Sequence, residues 1–311
     1  MASQPAPAAA QHPTDVHLVG STVAEPVPGS WLSGTLGITL SEAGELWPRM
    51  GSELTLAADR WRVDGAWADV GGSLLAVRVG RFRVPVGRAN SAPIGEEALI
   101  SRPVALDQAF GGTLAATGGL VRFGDAGLSL RGGLADGGND FFGGGQIGIL
   151  RGEGRVELPG GAALDLGVSG ATNQIAGVAG ADATLTWHDS RTFGALVAAE
   201  GFAGLGNWRT GAARAVAGHG VAAASYGPLE AAIRLDVALP GADSGPLLQG
   251  VAVAYGMRIA PRALLRLELS RRAELPRLFG GLAGDRVLAQ LVFALGGGAG
   301  QDGTEGARGR R

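Results

Sequence analysis

The strongest constraint on this chain is an alternation of apolar and polar residues with a period of two. Between residues 35 and 40, for example, Leu36, Ile38 and Leu40 share one parity, and Thr35 and Thr39 have the other. A period of two is that of a β-strand whose two faces meet different surroundings. The pattern recurs in about sixteen to eighteen segments, each close to the ~10 residues of a membrane-spanning strand. The sequence therefore predicts an all-β protein, a transmembrane antiparallel β-barrel of about 16 strands and up to 18.

Composition agrees with a single folded barrel. The 311 residues are 46% hydrophobic and 17% charged, which is too apolar for a disordered chain. No stretch reaches the ~18 uninterrupted apolar residues of a transmembrane helix, so a membrane form has to be a closed barrel. We expect a disordered N-terminal segment at 1–14, the barrel at 15–296, and a disordered Gly/Arg-rich tail at 297–311.

The polar faces of the segments carry Arg, Asp and Glu, while the apolar faces carry none. An arginine at the bilayer midplane costs about 2–4 kcal/mol, so the charged faces must look into water. The arginines could form an anion path, or they could pair with Asp64, Asp182, Glu200, Glu230, Asp236 and Glu268 as a structural girdle, and the pattern leaves both open. The predicted lumen-facing residues are Arg62, Asp64, Arg78, Arg131, Arg234, Asp236, Arg262, Arg266, Glu268 and Arg286.

One long segment interrupts the alternation. The strand VRVGRFRVPVGR, Val77–Arg88, runs into a stretch without strand periodicity that ends near Gly112. We expect this stretch to be a single long loop, about the third hairpin loop of the barrel, that folds into the lumen. A soluble sandwich also alternates, so a large soluble β protein stays open as an alternative.

Three strings around this loop resemble the N-terminal core of the phosphate-selective porin O/P-like family. They are DGAWADV (Asp64–Val70), VGRFRVPVGR (Val79–Arg88) and ALISRPVALDQAF (Ala98–Phe110). The resemblance implies a sixteen-stranded channel in the bacterial outer membrane, in contact with its lipid, often a homotrimer, with an inward loop as the constriction. Carried over by position, the loop Pro85–Gly111 would present Glu96, Glu97, Arg102 and Asp107 to the pore.

The chain departs from that family in having no lysine, on which phosphate selectivity there relies. The predicted function is a porin, a passive diffusion channel for small hydrophilic solutes or ions, with anions such as phosphate among them. The alternative is a soluble or surface β-rich structural or adhesive protein without channel activity. It is favoured by Met1–Gln11, which lacks the basic and apolar regions of a secretory signal. A plugged barrel with a binding role is a third possibility.

Other functions have thin support. The net charge of −2 is interspersed, so we expect no nucleic-acid partner. Cysteine is absent, and His12, His17, His188 and His219 are not at metal-ligand spacing, so neither a metal nor a cofactor is expected. No nucleophile elbow appears. We do not expect the protein to be an enzyme. The pair His188 and Ser190 is the one candidate for a catalytic site.

Two local patterns complete the predictions. The segment ADGGNDFFGGG reads as a surface turn, because Asp136, Asn139 and Asp140 make only one broken copy of a calcium-binding repeat that works by stacking. Trp67 shares its parity with Val63 and Trp61, which predicts one common outward face. Trp31, Trp61 and Trp187 lie near segment ends, as residues of an interfacial aromatic belt do.

Overall fold

The computed structural model is one closed antiparallel barrel of sixteen strands, which confirms the predicted fold class. Each strand pairs with its neighbours in sequence, and β1 pairs with β16 to close the wall, with Thr22 opposite Leu291. The strands are β1 (Thr14–Ala24), β2 (Ser33–Glu42), β3 (Arg49–Ala57), β4 (Arg60–Gly71), β5 (Leu75–Arg83), β6 (Ala115–Gly124), β7 (Leu128–Asp136), β8 (Gln146–Leu158), β9 (Ala162–Thr172), β10 (Gly177–His188), β11 (Phe193–Leu205), β12 (Arg214–Tyr226), β13 (Leu229–Leu239), β14 (Leu248–Ala260), β15 (Ala263–Glu274) and β16 (Asp285–Leu295).

The structure describes residues 14–24, 33–42, 49–57, 60–92, 97–104, 106, 114–139, 141–188, 192–205, 214–239, 248–260, 262–274 and 285–295. For β1–β3 and the first residues of β4 it describes the backbone alone. Arg88–Ser91 form a short helix, α1, and no helix in the described ranges is long and apolar enough to cross a membrane.

The outer face of the wall is apolar and uncovered. Leu128, Val168 and Leu269 are 72%, 64% and 64% exposed, and along β13 the exposed and buried positions alternate strictly. An exposed apolar surface that extends over β5–β16 would aggregate in water, so this wall faces lipid. The soluble alternative requires a second sheet to cover the apolar faces, and the described strands instead form one barrel with those faces outward.

The two ends of the barrel differ. At one end the connections are short turns, 72–74, 125–127, 159–161 and 227–228. The loops 84–114 and 137–145 lie at the other end, and short periplasmic turns with longer extracellular loops are the rule in outer-membrane-type barrels. Trp187 and Phe193 make an edge-to-face contact at 5.5 Å beside the short turns, where Tyr226 is also exposed. This is the position of an aromatic girdle, whereas the side chains of Trp31 and Trp61 lie outside the described residues.

A β-bulge in β4 reverses the facing of its second half. Leu54 of β3 pairs with Val63, but Glu53 pairs with Gly65, so Asp64 is an extra residue in the ladder. An extra residue exchanges the two faces of every later position in the strand. Trp67 consequently points into the barrel, where the Arg78 guanidinium lies 4.0 Å from its ring centroid. The prediction that Trp67 shares the outward face of Val63 is wrong for this reason.

Candidate pore constriction

The loop between β5 and β6, residues 84–114, is the third connection at the long-loop end and is called L3 below. Strand β5 ends at Arg83, so the predicted strand to Arg88 is five residues too long. The chain leaves the ladder because the N–H of Val86 donates to the carbonyl of Val84 at 2.7 Å, and because Gly87 has a φ of 70°. Glycine adopts this left-handed conformation without the cost of a side chain. These residues turn L3 into the lumen.

Asn90 ties the two ends of L3 together. Its side chain is fully buried, and Nδ2 donates to the carbonyls of Val84 at 2.7 Å and Leu114 at 3.0 Å. Its Oδ1 accepts the N–H of Leu114 at 3.0 Å. Buried backbone groups need such partners, so this one side chain satisfies three groups at the base of the loop.

The first part of L3 crosses the lumen to strands β9–β11. The N–H of Gly87 donates to the Ser169 hydroxyl at 2.9 Å, and the N–H of Ala89 donates to Oε2 of Glu200 at 3.0 Å. Arg88 donates to the Thr184 hydroxyl at 3.3 Å. The loop is therefore bound to the wall opposite its own root and does not lie along β5 and β6.

The second part of L3 is held by buried charges on β13 and β15. Arg234 donates to the Ser101 carbonyl at 2.5 Å, to the Ser101 hydroxyl at 2.9 Å and to the Arg102 carbonyl at 3.1 Å. Oε2 of Glu268 accepts the N–H groups of Ile100 at 2.5 Å and Ser101 at 3.0 Å. Arg234 and Glu268 are both buried, and neutral groups of L3 supply hydrogen-bond partners for each.

Two further contacts complete this attachment. Arg266 donates to the Glu97 carbonyl at 2.7 Å, and it also pairs with the carboxylate of Glu230. Arg234 pairs through Nε with Asp236 at 2.8 Å. We call the set Arg234, Asp236, Arg266 and Glu268 the L3 latch.

The loop residues carried over from the resemblance are only partly within the described chain. Glu97 and Arg102 lie inside the barrel and are half-buried, while Glu96 and Asp107 lie outside the described residues. Burial raises the pKa of the Glu97 carboxyl, and Arg102, Arg83, Arg234 and Arg88 oppose that rise. Glu97 thus lies among several guanidinium groups inside the barrel.

The predicted lumen-facing residues fall into three groups. Arg78 pairs with Asp69 at 2.7 Å, and Arg131 pairs with Glu153 at 2.9 Å, on wall that is partly open to water. Arg286 lies opposite Ser270 in the register, on the inner side of β16. The four latch residues face inward, but L3 buries them, so they hold the loop where an open lumen was expected.

The other three predicted lumen residues are Arg262, Arg62 and Asp64. Arg262 is exposed in the turn between β14 and β15, so its assignment to the lumen wall is wrong, because the strand begins one residue later. The side chains of Arg62 and Asp64 lie outside the described residues. Asp64 is the bulge residue, and Arg78 takes Asp69 as its partner.

The predicted lumen-facing residues omit Arg151 and Arg155 of the charged wall of β8–β10, although Asp182 is among the predicted girdle residues. Arg151 is buried and binds Asp182 through two hydrogen bonds of 2.8 and 3.0 Å, and Glu153 at 2.6 Å. Further along, Arg155 pairs with Asp165 at 3.3 Å. Period-two parity places Arg155 on the polar face opposite Val156, and Arg151 has the same parity. Cross-strand pairing explains why these charges are tolerated there.

The connection 137–145, called L4 below, is a turn as predicted, but two of its side chains are buried and do not lie on the surface. Asn139 does make a turn, since its Oδ1 accepts the N–H groups of Phe141 at 3.1 Å and Phe142 at 3.0 Å. Both rings are buried in an apolar cluster at the long-loop end of the barrel, called the mouth core below. Its larger members are Phe82, Val84, Val86, Leu106, Leu114, Phe141, Phe142, Ile147, Ile149, Val178 and Phe202.

The residues considered for metal binding and catalysis are spread over the described chain and its gaps. Within those ranges no group of three His, Cys, Asp or Glu side chains could hold a metal ion. Asp140 and Ser190 lie outside the described residues, and His188 is exposed at the end of β10. Buried His219 lies 3.5 Å from Glu200, in the wall beneath L3.

Comparison with solved structures places the fold among outer-membrane barrels. Salmonella typhi OmpF in complex with daunomycin has a TM-score of 0.63 and 13% identity, covering 91% of this chain and 97% of that chain. Vibrio cholerae OmpT without loop L8 has a TM-score of 0.59 and 9% identity, with coverages of 91% and 98%. For Pseudomonas aeruginosa OprD the TM-score is 0.54 and the identity 11%, with coverages of 92% and 95%. No family model and no curated protein matches the sequence.

Proposed function

We propose that this barrel is an outer-membrane porin, a passive diffusion channel for small hydrophilic solutes and ions whose constriction is L3. The observation that carries the proposal is a long loop folded inside a closed, lipid-facing barrel and bound to the opposite wall through Glu200, Arg234 and Glu268. A barrel of this strand number encloses an aqueous lumen, and a loop fixed across it narrows that lumen without closing the wall.

The charges of the wall favour weak ion selectivity. Arg78, Arg131, Arg151 and Arg155 each have a carboxylate partner within salt-bridge distance. Paired charges present little net field to a passing ion, so neither cations nor anions are strongly excluded. A reversal potential close to zero in a potassium chloride gradient is the expected result.

The resemblance to the phosphate-selective porin family adds the proposal that the channel prefers phosphate. Arg122, Arg131 and Arg151 are direct register neighbours on β6–β8, and guanidinium groups bind phosphate oxygens well. Phosphate that blocks chloride current at micromolar concentration would support membership of the phosphate-selective family. Block only at concentrations where sulfate is equally effective would support a general channel.

We assign no catalytic role, and we expect a homotrimer. One Vibrio cholerae OmpT structure is described as a trimer form, and its TM-score with this chain is 0.58. Mass measurement of the detergent-extracted protein tests the trimer, and a stable monomer would contradict it.

Liposome swelling tests the proposal as a whole. Liposomes that contain the folded protein should swell in small sugars and progressively less in larger ones, because L3 limits the size of solute that passes. Folded protein, identified by faster gel migration before boiling, that gives no swelling in any sugar would overturn the porin assignment. Protein found in the soluble fraction without that shift would overturn the membrane barrel itself.

A further inference from the structure

Loop L4 places two phenylalanines inside the mouth of the barrel, where a porin lumen is normally polar. Phe141 and Phe142 are 2% and 0% exposed, and their rings meet edge to face at 4.8 Å. Burying two rings removes a large apolar area from water, so the contact is favourable only with an apolar lining around them. The lumen itself supplies that lining, through L3 and the inner wall.

The backbone of L4 is held on both sides of the rings. Asn139 accepts the N–H groups of both phenylalanines, as described above. From the connection between β9 and β10, Asn173 donates to the Phe142 carbonyl at 3.1 Å and to the Gly144 carbonyl at 2.8 Å. These bonds fix the direction in which the rings point and link L4 to the next connection at the same end.

The rings reach far across the mouth. L4 joins β7 to β8, yet the terminal carbon of the Phe141 ring lies 4.0 Å from the position of a Cβ on Gly204 of β11. Buried Phe202 on the same strand packs in the mouth core, together with Val84 and Leu106 of L3. Side chains from L3, L4 and the wall therefore fill this part of the mouth as a close-packed interior that excludes water.

We propose that Phe141 and Phe142 form a wedge that sets the size limit of the channel. The wedge closes the sector of the long-loop mouth from β5 to β11 and confines solutes to the remaining part of the opening. The inference rests on the proposed channel function and adds L4 to L3 as a determinant of which solutes pass. It predicts that this sector is dry in the folded protein, and that truncating the rings opens it.

A single-thiol experiment tests the dry sector directly, because the chain has no cysteine of its own. Gly204→Cys places a thiol against Phe141, and Ser225→Cys places one at an exposed, inward-facing position near the other end of the neighbouring strand β12. A charged methanethiosulfonate reagent should modify the thiol of Gly204→Cys at least about 100-fold more slowly, because reaction there requires local opening of the mouth. Equal rates for the two variants would overturn the proposal.

The double variant Phe141→Ala/Phe142→Ala tests the size limit. It should raise both the single-channel conductance and the largest sugar that swells liposomes, and in its background Gly204→Cys should react as fast as Ser225→Cys. Phe123→Ala is the matched control, since that ring is 66% exposed on the lipid face at the short-turn end, and it should change neither readout. Unchanged conductance and size limit in the folded double variant would overturn the wedge.

The two parts of the test separate this inference from the porin assignment. Wild-type protein that folds but never conducts contradicts the channel, while the thiol rates still report whether the sector is dry. If the double variant fails to fold, the comparison of the two cysteine variants in the otherwise wild-type chain decides the question alone.

Discussion

Replacing Arg234 with alanine removes the main attachment of L3 to β13. The side chain is 3% exposed and donates three hydrogen bonds to Ser101 and Arg102, while its Nε pairs with Asp236. The substitution frees the tip of L3 and leaves the Asp236 carboxylate buried without its partner. The backbone of residue 234 keeps its ladder bonds, so the barrel wall itself should persist.

The size of the effect follows from these contacts. Hydrogen bonds to a charged group contribute about 1.5–3 kcal/mol each, and breaking a buried ion pair costs about 3–5 kcal/mol. The two figures describe overlapping contacts and are not added. Taking about 3 kcal/mol as the loss in docking free energy, the ratio of undocked to docked L3 rises about 150-fold.

Single-channel recording is the assay. Arg234→Ala should show frequent transitions between conductance levels, because L3 leaves and re-enters its docked position on the microsecond-to-second time scale of lid opening. Arg234→Ala/Asp236→Ala should show fewer transitions between conductance levels than the single variant, since it leaves no uncompensated buried charge. Arg155→Ala, which breaks a partly exposed pair elsewhere on the wall, is the control and should match wild type. An Arg234→Ala channel with the transition frequency and the conductance of wild type would refute the role of the L3 latch in holding the loop.

Three other substitutions test separate parts of the structure. A methyl group at Gly87 would overlap the carboxylate of Glu200, so Gly87→Ala should displace L3 and alter conductance, whereas Gly160→Ala, at a turn glycine with open space around it, should not. Burial raises the pKa of Glu97, so this carboxylate takes up its proton at a higher pH than a free glutamate does. Protonation removes a negative charge from the constriction. Anion preference measured by reversal potential should therefore grow in mild acid, and Glu97→Gln should abolish that growth. Two backbone N–H groups lower the pKa of Asp125, so Asp125→Ala should destabilise the barrel in urea titrations at pH 7, and the difference from wild type should vanish as the pH falls from ~4 through the lowered value. A pH-independent difference would contradict this role of the carboxylate.

Strand periodicity predicted the wall well, because lipid and water impose opposite polarity on alternate residues. The outward positions are all apolar along β13 and over residues 263–269 of β15, because a charge there would lie in lipid, and Arg271 takes the same parity only near the end of β15. Parity gives the wrong face for the part of β4 that follows the bulge at Asp64. One extra residue leaves no trace in composition, and Trp67 is as compatible with the lipid face as Val63 is.

The interior was predicted less completely. Parity places Arg234 and Glu268 on the inner face correctly, but it cannot tell a side chain that meets water from one that L3 covers. The partners of these side chains lie far away in sequence, at residues 100–102, and no local pattern encodes such a distant contact. Phe141 and Phe142 were missed for a related reason, because glycines on both sides made their segment look like an exposed turn.

The most direct test of the account is the single-channel conductance of the folded protein in planar lipid bilayers. Protein that migrates faster on gels before boiling should insert and give discrete, ohmic current steps, because the proposed channel leaves an aqueous path beside L3. The same protein inserting without any current steps, over repeated preparations and in concentrated potassium chloride, would contradict the central claim that the barrel is a channel.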